Sequence, residues 1–377
     1  MPRGDPPVVL LGGSINTLSA ARSLGGRGIE VHVLAESGLR LPVAASRHVR
    51  SFVASDWMAW LGAQPEGAVV LPCSDRGLET VARRRARLVE LGHRPVESHD
   101  ELVLALLDKG RTAEVAAAAG IEAPRTFPLD TPGAVEEAIA TIAFPCAVKP
   151  AQAHRAPGTL RAKGEEVHDA DGLVAAARAG GLVATEIVPG PEDAFCSFYT
   201  YMVDGEPLFG FTKRKLRQFP VRWGTGTYHL SEWVPEAAEV GLRLFEAVGL
   251  VGLGNVEFKR DERDGKLKLI ECNLRLTEAD PLLRASGLDL AHIQYERALG
   301  RAVAVPDRFR YGRRQWLPLA DVRAFLAYRR TGALGAAAWM RSLLHPQLLP
   351  FFSVDDPGPS LANLRTLARR LARRLGR

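Results

Sequence analysis

Asn255-Val-Glu-Phe-Lys259 and Leu269-Ile-Glu-Cys-Asn-Leu-Arg275 flank a charged turn, and the rest of the chain is organised around them. Read with a period of two, each is a strand with one apolar and one reactive edge. Val256 and Phe258 share one side of the first strand; Asn255, Glu257 and Lys259 share the other. On the second, Ile270, Cys272 and Leu274 oppose Glu271, Asn273 and Arg275. Arg263-Asp264-Gly265 suits a three-residue hairpin loop with glycine in the left-handed position. That loop would pair Glu262 with Lys266, and counting back sets Glu257 opposite Glu271 and Asn255 opposite Asn273. Like charges directly opposite on a ladder repel, so something cationic is expected between the carboxylates. Hard oxygen donors of this kind suit magnesium that already carries phosphate oxygens. The plain alternative is a solvent-facing hairpin edge of mixed charge.

A chain of 377 residues is long enough for two or three packed domains. Its 46% apolar and 24% charged content is ordinary for a globular protein. Cys73, Cys146, Cys196 and Cys272 show no metal-like spacing and read as reduced, buried thiols. No signal peptide is recognisable and no run has the length of a membrane span, so a cytoplasmic location is expected. The net charge of +6 is concentrated: Arg365, Arg369, Arg370, Arg373, Arg374 and Arg377 equal the whole excess. The near-neutral remainder argues against a broad nucleic-acid surface.

Val8-Val9-Leu10-Leu11 reads as a buried strand ending in the turn Gly12-Gly13-Ser14, followed by a helix over 18–24 and a second strand at 30–34. A third strand, 68–72, precedes the arginine-rich helix from Gly77 to Leu91. This is β-α-β patterning, but Gly12-Gly13-Ser14-Ile15-Asn16 is not the dinucleotide fingerprint. Lys109 opens a helix that ends at Gly120. Lys149 closes the strand Phe144-Pro-Cys-Ala-Val-Lys149-Pro150, where an ammonium among apolar neighbours calls for an anionic partner, unless the side chain snorkels. Residues 151–164 read as a loop carrying His154, Arg155 and Lys163. Leu182–Gly190 is a buried strand closing on Pro-Gly, with Glu192 next. Strands at 194–202 and 207–212 surround Asp204-Gly205. Lys213-Arg-Lys-Leu-Arg217 then reads as a cationic segment leading into a loop at Gly224-Thr-Gly-Thr227. An amphipathic helix over 235–248 precedes the opening hairpin, and helices fill 281–299.

This order of features resembles the ATP-grasp superfamily over about residues 8–300. Glu257 followed by Glu271-Cys-Asn273-Leu-Arg275 is its most specific part. Within it, Gly-Gly-Ser-Ile-Asn16, Ser46-Arg47-His48-Val49 and Asp355-Asp-Pro-Gly-Pro359 are similar to carboxylate–amine ligases related to D-aspartate ligase. The resemblance implies an α/β fold of ATP-grasp architecture. Its parts would be an N-terminal open α/β (pre-ATP-grasp) domain over 1–105, a small α+β lid over 106–189, and a larger α+β domain with an antiparallel sheet over 190–310. A helical, basic C-terminal extension would fill 311–377.

It also implies roles. Lys109 and Lys149 would bind ATP phosphates, with Lys163 a further phosphate-loop candidate. Glu186, with the backbone of Ile187 and Val188, would contact the adenine, and Glu192 the ribose. Glu257, Glu271 and Asn273 would hold one or two Mg2+ ions. Arg275 would stabilise charge on an acyl phosphate, and Lys213, Lys215 or Arg217 would meet the γ-phosphate or the substrate carboxylate. The implied activity is ATP-dependent coupling of a small-molecule carboxylate, such as an amino acid, to an amine. A small-molecule kinase and a non-catalytic nucleotide-binding module are the alternatives. Phosphoryl transfer needs positioning and charge neutralisation more than a protein nucleophile, and no nucleophile triad is recognisable. Two departures stand out: residues 151–164 are poor in glycine, and Leu-Thr-Glu-Ala-Asp-Pro281 after Arg275 differs from close relatives.

In the last helix, Leu361, Leu364, Leu367, Leu371 and Leu375 recur at three- and four-residue spacing among arginines. The stripe either docks the helix on the body or lays it on the inner membrane face as a peripheral contact.

Overall fold

The computed structural model describes residues 5–36, 42–64, 67–155 and 164–375, without the side chains of 367 and 369–375. The chain forms two compact units: Met1–Ser98 with Arg275–Arg310 and Leu348–Arg377, and His99–Leu274 with Tyr311–Gln347.

The first unit is built on β1 (Val8–Leu11), β2 (Val31–Leu34), β3 (Ser51–Val53), β4 (Val69–Pro72) and β5 (Arg94–Pro95), all parallel in the order β3-β2-β1-β4-β5. β1 and β4 are buried along their whole length, as expected of parallel strands covered on both faces. Helix Asp75–Glu90 starts where the Ser74 hydroxyl accepts from the Gly77 amide. A Cβ at Gly77 would stand 2.7 Å from the Leu11 carbonyl oxygen, so glycine lets this helix approach β1. Sequence patterning captured β1, β2 and β4; β3 and β5 are too short to show a period.

Helices Asp280–Ala285 and Leu290–Ala298 pack on helix Ile15–Gly25. Asn16 donates to the carbonyls of Cys73 and Leu276, and the Ser23 hydroxyl donates to Asp289. Buried Asp356 accepts from Arg22 Nε at 2.9 Å, Ser46 Oγ at 2.8 Å and the Arg47 amide at 3.0 Å. Burial pushes its pKa up, but these donors prevail and hold the carboxyl below its usual range. Two segments far apart in sequence, Ser46-Arg47 and Asp355-Asp356, are thus one structural clasp. Helix Gly358–Leu375 follows, its first turns packed on Pro42–Ala45, while Leu361 and Leu364 remain exposed. For these two leucines the docked-stripe expectation is overturned.

The second unit holds two antiparallel sheets. The smaller contains β6 (Thr126–Pro128), β7 (Cys146–Pro150), β8 (Glu165–Val167) and β9 (Leu182–Glu186) in the order β6-β9-β7-β8. Helices Pro132–Thr141 and Ala170–Ala177 bury Val135, Ala138 and Leu173 against Cys146, Val148 and Ala184. Helix Lys109–Ala118 is capped by the Asp108 carboxylate, which accepts from the Gly110 and Arg111 amides.

The larger sheet contains β10 (Phe195–Val203), β11 (Glu206–Pro207), β12 (Phe211–Phe219), β13 (Thr225–Ser231), β14 (Gly252–Arg260), β15 (Leu267–Cys272) and β16 (Arg314–Trp316). With β17 (Gln347–Leu348) its order is β15-β14-β10-β12-β13-β16-β17, with β11 beside β10. Two expectations are corrected here. Lys213–Arg217 does not lead out of the sheet but lies inside a nine-residue strand, and Thr225–Thr227 opens the next strand instead of a loop. The segment after residue 310 is not purely helical, because Arg314–Trp316 adds a strand beside β13. Helices Pro318–Arg330 and Ala336–Leu343 follow, and the first packs on β12 and β13.

Candidate active site

Directly paired residues of an antiparallel sheet point to the same face. Following the pairings across the larger sheet gives three rows on one face. The middle row is Glu271, Glu257, Ser197, Lys213 and Ser231. On one side lies Lys259, Phe195, Lys215, His229 and Gln315. On the other, Asn273 exchanges backbone hydrogen bonds with Asn255, which pairs with Tyr199. The face therefore runs from a carboxylate end at β15 and β14 to a cationic end at β12.

Glu257 and Glu271 are opposite one another, and Lys215 Nζ lies 2.7 Å from Glu257 Oε1. The same ammonium sits 3.7 Å from the Phe195 ring centroid. Asn273 Nδ2 donates to Glu271 Oε1 at 3.2 Å, which leaves the Asn273 carbonyl oxygen as an acceptor on the same edge. Two carboxylates and an amide oxygen form a hard donor set that fits magnesium. Among the described residues no three His, Cys, Asp or Glu side chains come together, so oxygens of a ligand or of water would complete a cation's shell here.

Two neighbouring lysines are desolvated. Burial pulls the Lys213 ammonium down to about 8, with Lys215 adding to the fall and Glu257 opposing it. Lys149, on β7, is likewise pulled down to about 8, first by burial and then by the charge of Lys109; Glu271 and Glu257 pull the other way. Its Nζ stands 5.1 Å from the Trp223 ring centroid. Lys109, Lys149, Lys213, Lys215, Glu257 and Glu271 thus form one electrostatic neighbourhood.

Arg217 does not join it. A bulge at Leu216 moves the pairing from Lys215–His229 to Arg217–Tyr228, which turns Arg217 to the opposite face. There its guanidinium is bidentate on the fully buried Asp321, at 2.7 and 2.9 Å, and lies 4.0 Å from the Tyr228 ring centroid. Asp321 also accepts from Thr227, Trp316 and Trp339. Arg217 is a structural anchor.

Glu186 is held between Arg263 Nη1, at 2.6 Å, and Arg125. Burial raises its pKa, but the two arginines outweigh that and leave it lowered. Ile187 follows as a half-buried residue, and the Val188 carbonyl accepts from Lys259 Nζ at 2.9 Å. Glu192 accepts from the Arg222 amide, from Gln218 Nε2 and from the Tyr328 hydroxyl. Arg275 belongs to the first unit, where its Nε donates to Asp75 Oδ1 at 2.6 Å. Lys163, and with it most of the 151–164 loop, lies outside the described residues.

Sequence reading missed Ser197, His229 and Tyr328. His229 is buried, and its pKa is driven well below the ordinary value by burial and then by Lys213 and Lys215. The alternation Thr227-Tyr-His-Leu-Ser231 was the available signal, obscured by the adjoining glycines.

Solved structures share this arrangement of sheets. The biotin carboxylase domain of 2-oxoglutarate carboxylase from Hydrogenobacter thermophilus is similar with a TM-score of 0.62 and 17% identity, covering 83% of this chain and 74% of that one. N5-carboxyaminoimidazole ribonucleotide synthetase from Thermus thermophilus gives 0.62 and 17%, covering 80% and 81%. The Staphylococcus aureus N5-carboxyaminoimidazole synthetase gives 0.63 and 15%, covering 82% and 80%. The chain has the ATP-grasp fold of these structures. Consistent with that fold, residues 235–305 match the profile of the carbamoyl-phosphate synthase L chain, ATP binding domain. That match spans the β14–β15 hairpin and both carboxylates. No curated protein sequence matches the chain.

Proposed function

We propose that this ATP-grasp chain is an ATP-dependent ligase that activates a small carboxylate as its acyl phosphate and couples it to an amine, releasing ADP and phosphate. The observation that supports it best is the sheet row running from Glu271 and Glu257 to Lys213, with Lys215 and Lys149 beside it. A polyphosphate brings the anionic charge that the buried Lys149 and Lys213 ammonium groups lack. ADP is bound in the similar Staphylococcus aureus enzyme, and MgADP and bicarbonate in the Hydrogenobacter carboxylase domain. Glu257, Glu271 and Asn273 would hold magnesium, which supplies charge neutralisation of the phosphates when bound.

In this reading Lys109 and Lys149 orient the phosphates, and Glu192, fixed by Gln218 and Tyr328, faces the ribose. Glu186 and the 187–188 backbone border the base. Lys213 and Lys215 stabilise negative charge as the carboxylate oxygen attacks the γ-phosphorus and, later, as the amine displaces phosphate from the carbonyl carbon. For Arg275 a part in that chemistry rests on the sequence resemblance alone. An amino acid as the carboxylate, and a narrower kinship with D-aspartate ligase, rest on the sequence resemblance.

The test is phosphate release from Mg-ATP across a matrix of amino acids and amines, with hydroxylamine as a trap. A ligase gives a hydroxamate from the acyl phosphate; a kinase on the same fold gives phosphorylated product and no hydroxamate. Absence of carboxylate-dependent phosphate release throughout would overturn the reading.

A further inference from the structure

The helices that follow β16 carry apolar side chains on two faces. Asp321, Ala324, Phe325 and Tyr328 point inward from helix Pro318–Arg330 and are buried. Leu319, Val322 and Leu326, at positions i, i+3 and i+7, line a second face and are 45%, 39% and 49% exposed. On helix Ala336–Leu343 and its C-cap the pattern repeats: Trp339 stacks on Phe325, while Met340 and Leu344 are 57% and 84% exposed. Inward packing therefore accounts for one apolar stripe and leaves the other in water, where exposed apolar clusters mark interaction surfaces.

The charges beside this stripe are of one sign. Arg323, Arg329, Arg330 and Arg341 are exposed and form no ion pair among the described residues. Between Asp307 and Asp355 the sequence has a single acid, Asp321, and that one is fully buried beneath Arg217. A surface of scattered leucines, a methionine and unopposed arginines is complementary to anionic headgroups above an acyl layer. Apolar side chains enter the layer while arginines extend to the phosphates. Among the described residues no helix is long and apolar enough to cross a membrane, so the contact would be peripheral.

We propose that the exposed apolar and basic surface of helices Pro318–Arg330 and Ala336–Leu343, which carries Leu319, Val322, Leu326, Met340 and Leu344 with four arginines, docks the protein on an anionic lipid surface. The assignment is independent of the ligase reading.

Full-length protein should co-float with phosphatidylcholine vesicles containing phosphatidylserine, and stay at the bottom with phosphatidylcholine alone. Salt should release it. Leu326→Gln with Met340→Gln should abolish flotation, and Arg329→Ser with Arg330→Ser should weaken lipid affinity about 30-fold, at roughly a factor of five per arginine. All four positions are solvent-facing, so circular dichroism and melting temperature should match the parent protein. Three results would overturn the proposal. The first is flotation unchanged in both double variants. The second is flotation lost only when Arg369, Arg370 and Arg373 become serine, which would transfer the contact to the last helix. The third is no flotation but a dimer by light scattering that Leu326→Gln/Met340→Gln dissociates, which would make the occupant a second copy.

Discussion

Binding of MgADP should draw protons from solution at alkaline pH. Lys149 is lowered from its ordinary 10.5 to about 8 by burial and by the nearby charge of Lys109. The sign is fixed by linkage: between about 8 and 10.5 the unfolded chain holds more protons than the folded one, so stability rises with pH across that window. The cost of burying the charged ammonium is fully present at pH 8 and below. A bound diphosphate opposes the cause, because it supplies negative charge in place of the water that burial removed. At pH 8.5 a lysine of pKa about 8 is about one-quarter protonated, so restoring its ordinary value takes up about 0.7 proton; at pH 7 the uptake falls to about 0.1. Lys213, also lowered to about 8, adds a comparable amount if it meets the phosphates. Calorimetric titration in two buffers of different ionisation enthalpy reads this directly. Heat should depend steeply on buffer at pH 8.5 and hardly at all at pH 7, and Lys149→Met should remove about half of the slope. Tight MgADP binding with no proton uptake at pH 8.5 would refute the placement of Lys149 against the phosphates.

Three further outcomes follow from the same geometry. Glu271 is exposed at the sheet edge, so Glu271→Ala should leave the melting temperature unchanged and lower carboxylate-dependent phosphate release by about a hundredfold or more; unchanged turnover would remove it from the metal set. Asp321→Asn leaves the buried Arg217 guanidinium without its counter-charge and should cost about 3–5 kcal/mol of stability by chemical denaturation. A cost within error of zero would show that Arg217 is satisfied elsewhere. Tyr328→Phe removes a hydroxyl from Glu192 and Gln218, and should weaken MgADP binding about fivefold, roughly 1 kcal/mol, with little change in folding stability; equal affinity would separate Glu192 from the nucleotide.

Local pattern carried much of the fold. The alternation in Asn255–Lys259, the glycine turn after Leu11 and the helix start at Lys109 each dictate backbone nearby and appear as read, while the second strand ends at Cys272, short of Arg275. What stayed hidden is non-local. Arg217 meets Asp321 across 104 residues, and nothing in Lys213-Arg-Lys-Leu-Arg217 marks the last cation as a buried anchor. Gly224-Thr-Gly-Thr227 has the composition of a loop. Yet a Cβ at Gly226 would stand 2.2 Å from the His229 ring, so that glycine is there to admit an imidazole within a strand. Sequence resemblance placed residues in a site; it gave no means of seeing which side chains the surrounding packing had already claimed.

Two β-bulges decide the composition of the candidate site. The β14–β15 turn closes differently from the three-residue loop: the Asp261 amide donates to the Lys266 carbonyl, Gly265 takes a φ of +72°, and Arg260 pairs with Leu267. Carried on without interruption, that register would set Glu257 opposite Ile270 and Asn255 opposite Cys272, turning the second carboxylate to the far face. The pairing instead skips Ile270, so Phe258 meets Leu269 and Glu257 meets Glu271. Two one-residue departures cancel, and the carboxylate pair survives a wrong turn assignment. On β12 the bulge at Leu216 works the other way: it keeps Lys213 and Lys215 on the carboxylate face and sends Arg217 to the opposite one. The sheet thereby faces Glu257 and Glu271 with two lysines whose charge a phosphate can share. The arginine, bidentate on buried Asp321, is committed to holding the strand in place.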